Sequence, residues 1–119
     1  MTVLEDFYNW IIGIEEDDPV PYEIKHMYFA ISFQNNICCL CYGGTELYQN
    51  NVINFEYFPL EAQFFHNQSF NNLTEVNLAM LQLKQLLDDC IDKKQFKNIF
   101  RDKKIYICEL GKQNIEYKH

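Results

Sequence analysis

The longest regular pattern of apolar positions lies between Asn72 and Ile91. Leu73, Val76, Met80, Leu83, Leu87 and Cys90 recur at steps of three and four, which places them on one face of a helix. Asn72 can accept from the first free amides, and Glu75, three residues on, completes a capping box. The spacing predicts a long helix over about 73–91 with one buried face. Leu78 and Leu81 fall off that face.

The N-terminus repeats the pattern on a smaller scale. Thr2 and Glu5 form a capping box, and Leu4, Phe7, Tyr8 and Ile11 follow at helical spacing. Gly13 stands where a C-terminal cap belongs, so a helix is expected over about 3–12, flanked by Trp10 and Ile12. Glu15-Glu16-Asp17-Asp18-Pro19 then reads as a loop, because like charges crowd there and Pro19 and Pro21 oppose a helix.

From His26 to Tyr42 the period changes to two. Asn35-Asn36 is suited to a tight hairpin turn, which would set Phe33 opposite Cys38, Ile31 opposite Leu40 and Phe29 opposite Tyr42. One face then carries Met27, Phe29, Ile31, Phe33, Cys38, Leu40 and Tyr42. The other carries Tyr28, Ala30, Ser32, Cys39 and Cys41, with Gly43-Gly44 ending the hairpin. Val52 to Phe58 alternates again, with Pro59 closing it, and residues 60–71 read as a fourth strand or a lid.

Beyond the long helix, Asp92 can cap a short helix over about 92–101, with Phe96, Ile99 and Phe100 inward and Lys93, Lys97 and Arg101 in an outer column. Lys104 to Leu110 reads as a buried strand, and Gln113 to Tyr117 as a short terminal one after a Gly111-Lys112 turn. The expected architecture is a single α+β domain over 1–119. In it a mostly antiparallel sheet of four or five strands packs on the long helix, with the two shorter helices beside it.

Composition narrows the class. With 119 residues, 48% of them hydrophobic, the chain can bury a core without covalent staples. The N-terminus carries Glu5 and Asp6 and no early base, the reverse of a secretion signal, and no apolar run reaches the roughly 18–20 residues of a bilayer span. Cys38, Cys39, Cys41, Cys90 and Cys108 are odd in number and bunched, unlike a disulfide framework, so a reducing, cytoplasmic setting is expected.

Charge is the most informative feature. Residues 1–61 hold ten acids against one base, Lys25, a balance of −9. Residues 62–119 hold seven acids against nine bases, +2, giving the overall −7. The basic column of Lys93, Lys94, Lys97, Arg101, Lys103 and Lys104 is read as a solvated helix face offsetting Asp88, Asp89 and Asp92. One Arg and no aromatic RNA-binding motif argue against direct nucleic-acid binding.

Candidate chemistry is sparse. Cys39, Cys41 and His26 are the metal candidates, but a zinc site needs about four ligands and no second pair sits at metal spacing. No metal or cofactor is therefore expected. His66 lies among Glu61, Gln63 and Asn67, and His119 is terminal. No phosphate loop, Gly-x-Ser-x-Gly, His-Glu-x-x-His or calcium loop occurs.

These features point to a small acidic, non-enzymatic protein-binding domain. Its expected partner is a basic, nucleic-acid-handling protein such as a toxin or nuclease, as for an immunity or inhibitor protein. Glu15, Glu16, Asp17, Asp18 and Glu23 would supply the charge, and Trp10, Tyr22 and Tyr48 the anchors. The alternative is an enzyme or ligand-binding domain with a pocket between sheet and helix, drawing on His66, Glu61, Tyr57 and Cys41. Leu78 and Leu81, off the main stripe, would meet the short helix or a second copy of the chain in a homodimer.

Overall fold

Residues 2–32, 38–45, 56–64, 76–92, 96–110, 112 and 115–117 are described by a computed structural model. Helix α1 spans Val3–Asp17, followed by strands β1 (His26–Ser32), β2 (Cys38–Gly44) and β3 (Gln63–Phe64). Helix α2 (Val76–Asp92) and strands β4 (Lys104–Glu109) and β5 (Ile115–Tyr117) complete the order. The Asn35-Asn36 turn, the 52–55 part of the third expected strand, His66, the Asn72 cap and the Gly111 turn position lie outside the described residues.

The sheet runs β3-β2-β1-β4-β5 and is mixed, not mostly antiparallel. β1 pairs antiparallel with β2 but parallel with β4. The cause is α2. A helix between β3 and β4 carries the chain back along the sheet, so β4 sets out in the same sense as β1.

The β1–β2 register differs by one residue from the expected hairpin. Ser32 faces Cys38, Ile31 faces Cys39, and Phe29 faces Cys41, so the pairing is centred on position 35 and not between 35 and 36. A one-residue slip turns every side chain of β2 over. Cys39 and Cys41 therefore join Met27, Phe29 and Ile31 in the large core, and Leu40 and Tyr42 join Tyr28 and Ala30 on the opposite face.

The large core lies between the sheet and both helices. Phe7, Trp10, Ile11 and Ile14 of α1 meet Ala79, Leu83, Leu86, Leu87 and Cys90 of α2 there. The buried stripe of α2 thus takes in Ala79 and Leu86 beside the expected Leu83, Leu87 and Cys90, whereas Leu78 (47% exposed) and Leu81 (55%) face outward. On the other face Tyr42, Tyr28 and Tyr106 stack across three adjacent strands with ring centroids 5.1 Å apart.

Two helix boundaries move. Thr2 caps α1, its hydroxyl oxygen accepting from the Glu5 amide at 3.1 Å. The helix then runs through Gly13 to Asp17, because Ile14 continues the apolar face and is buried. A glycine inside a helix costs only about 1 kcal/mol, which such burial outweighs. Among the described residues, the short helix expected over 92–101 is not formed at 96–101. α2 ends at Asp92, and residues 96–102 bend into a turn in which Asp102 takes a left-handed φ of 58°.

Candidate functional site: an acidic groove beside the first helix

The acidic run belongs to the last turn of α1, not to a loop. Glu15, Glu16 and Asp17 sit where the helix carbonyls already concentrate negative charge, and no base occupies that turn. Each residue then has a different fate. The Glu15 carboxylate accepts from the backbone amides of Asn98, at 3.1 Å, and Ile99, at 2.9 Å. Asp18 accepts the Leu60 amide at 2.8 Å through its side chain and the Tyr57 hydroxyl at 2.6 Å through its carbonyl. Glu16 and Asp17 are exposed, and their carboxylates meet no hydrogen-bond or ion-pair partner among the described residues.

The contacts of Asp18 pull the 57–61 segment alongside α1. The Trp10 indole adds a third link, donating to the Glu61 carbonyl at 2.7 Å. A groove of about 270 Å³ remains between helix and segment. Its lining includes Trp10, Ile14 and Pro59 together with the acidic residues Asp17, Asp18 and Glu61. Gly13 leaves its floor open, with no atom within 4 Å of where a Cβ would stand. The Glu61 carboxylate, like that of Asp17, has no partner among the described residues. Leu60 at the rim is 89% exposed, and Phe58 nearby 50%.

The other anticipated contact residues are dispersed. Trp10 is a core residue, 9% exposed, stacked on Phe64 at 5.4 Å, and so is not a protruding anchor. Tyr22 is exposed, but the Lys25 ammonium lies 3.5 Å above its ring. Glu23 is exposed on the same connection, and Tyr48 falls outside the described residues. Glu61, Leu60 and Gly13 join the site although charge counting did not single them out as one surface. Only the fold brings position 61 beside position 17.

The metal candidates do not converge. Cys39 and Cys41 point into the large core, whereas the His26 Nδ1 lies 3.0 Å from the Tyr106 hydroxyl on the far face of the sheet. Among the described residues no group of three His, Cys, Asp or Glu side chains is placed to hold a metal ion. Burial pushes the Cys39 and Cys41 thiols well up from their ordinary range. The Tyr57 hydroxyl is raised as well, by burial first, then by the Cys41 thiol and the Asp18 and Glu15 carboxylates. Of the groups named for a catalytic pocket, Tyr57 and Cys41 are thus core residues, Glu61 lines the open groove, and His66 is outside the described residues.

No described helix is long and apolar enough to cross a membrane. The chain matches no family model, no curated protein and no solved structure.

Proposed function

We propose that this chain is a small non-enzymatic binding domain that docks on a basic protein surface through the α1 groove. One observation carries the reading. The groove gathers Asp17, Asp18 and Glu61 at the negative end of a helix, two of those carboxylates have no partner among the described residues, and a nearly bare leucine stands beside them. Unpaired charge on a soluble surface is ordinary. Unpaired charge of one sign around a concave, partly apolar slot fits an arginine or lysine whose stem lies on Trp10 and Leu60. A field of one sign also speeds encounter with a partner of the other.

The partner class follows from the same charge. A protein that handles nucleic acid carries a basic cleft for a polyanion, and an acidic domain can fill it by presenting carboxylates where phosphates would lie. Immunity and inhibitor proteins against nuclease toxins in the cytoplasm work on that principle, and the size and charge here suit such a role. The exposed pair Leu78 and Leu81 lies on another element and would serve a second contact, including one with another copy of the chain.

An arginine-rich peptide is the direct probe. Amide shifts should concentrate on residues 9–18 and 60–61, and binding should weaken steeply as salt rises. The double variant Asp17→Asn, Glu61→Gln should lose most of it. Shifts spread evenly over all the acids, or binding indifferent to the double variant, would remove the groove as the docking site.

A further inference from the structure

A second cleft lies on the opposite side of the charge balance. It is an open cleft of about 370 Å³ between the end of α2 and the 96–101 segment, lined by Ile91, Phe96, Lys97, Phe100 and Arg101. We propose that it binds a small aromatic carboxylate.

The floor is apolar and braced. Phe100 stacks on Phe29 of β1 with centroids 6.2 Å apart, and Phe96 meets Phe100 edge-on at 5.4 Å. Tyr8 supports Phe96 from α1 at 5.7 Å. The backbone between the two phenylalanines is held by the Glu15 carboxylate through the Asn98 and Ile99 amides. A ring laid on such a platform gains edge and stacking contacts beyond its buried area.

The rim is cationic. Lys97 and Arg101 are exposed and have no hydrogen-bond or ion-pair partner among the described residues. Of the nearby acids, Asp88 accepts the Tyr117 hydroxyl, and burial first, then Asp88, Asp92 and Asp89, push that phenol up. Two cationic side chains lining one cleft suit an anionic head group such as a carboxylate. The volume lies within the roughly 300–1,000 Å³ of small-molecule sites, which favours a free small acid over a bare phosphate that gains nothing from the apolar lining.

The test compares 3-phenylpropionate with its uncharged primary amide, each titrated into the whole labelled protein and followed by amide shifts. The acid should shift residues 96–101 saturably and bind at least about tenfold more tightly than the amide. The Lys97→Gln, Arg101→Gln variant should melt at the same temperature and bind the acid no better than the amide. Equal binding of acid and amide, shifts centred elsewhere, or undiminished binding by the variant overturns the proposal. Full competition by equimolar inorganic phosphate overturns the aromatic requirement, and tighter binding of a C-terminally amidated Phe-Asp peptide reassigns the cleft to a protein segment. None of these outcomes touches the arginine-peptide titration at the α1 groove.

Discussion

The Glu15 carboxylate accepts the amide proton of Ile99 at 2.9 Å, which ties the last turn of α1 to the segment that follows α2. The same carboxylate takes the Asn98 amide and its side-chain nitrogen, at 3.1 and 2.6 Å. One acid of the run thus serves as a brace for the 96–102 turn, where no helix forms to satisfy those amides. Glu15→Ala should cost about 1–2 kcal/mol, read as a lower urea midpoint with unchanged slope. Glu16→Ala, a neighbour without such a contact, should leave the midpoint in place.

Asp17 sits in the last turn of a helix, where an acid is electrostatically misplaced. Asp17→Lys should therefore stabilise the fold by about 0.3–1 kcal/mol while abolishing arginine-peptide binding. Thermal melts and peptide titration on one sample would show the two effects with opposite sign. Loss of both stability and binding would assign Asp17 to the scaffold.

Two glycines should respond in opposite directions. Gly13 has open space where a Cβ would stand, so Gly13→Ala should stabilise α1 by up to about 1 kcal/mol. A Cβ at Gly43 would lie 2.7 Å from both the Ile24 side chain and the Met27 sulfur. Gly43→Ala should destabilise by about 1–3 kcal/mol, because overpacking there must move core atoms. Paired denaturation curves check both signs.

His26 gives the fold a pH dependence. Burial, then the Lys104 charge, lower its pKa below the usual 6.5, against an opposing pull from Glu116. The unfolded chain consequently binds a proton more readily than the folded one. Stability should be full above pH 6.5 and fall as pH drops through the lowered pKa. His26→Asn should flatten melting temperature against pH between about 7.5 and 5.

The thiols should be inert in the native protein. All five cysteines are buried and free. Burial raises Cys38, Cys39 and Cys41, and pushes Cys108 up to about 11. At pH 8 a colourless aromatic disulfide reagent should release its chromophore only after denaturant is added. Fast native reaction at Cys41 would show that the core opens.

Local spacing was enough for much of this molecule. The Thr2 cap, the apolar face through Phe7 and Ile11, the buried Leu83, Leu87 and Cys90, and the strands at 26–32, 104–109 and 115–117 all follow from caps and periods read within a few residues. So does the place of Leu78 and Leu81 off the main apolar stripe. Gly13 misled because a glycine is a stop signal only when nothing beyond it seeks burial, and Ile14 does.

What neighbouring residues could not disclose depends on groups far apart in the chain. Alternation in β1 and β2 is the same in either register, so the parity of their pairing decided whether Cys41 or Tyr42 met the helices. The parallel β1–β4 pair came from the path α2 takes across the sheet. The imbalance of sign was plain in the amino-acid order. Which carboxylates remain unpaired was not, since Glu15 finds its amide 83 residues away and Asp18 its own 42 residues away. Short-range patterns set the elements because they depend on the geometry of one helix or strand. Long-range contacts chose among the packings of those elements, and with them the residues left to form a site.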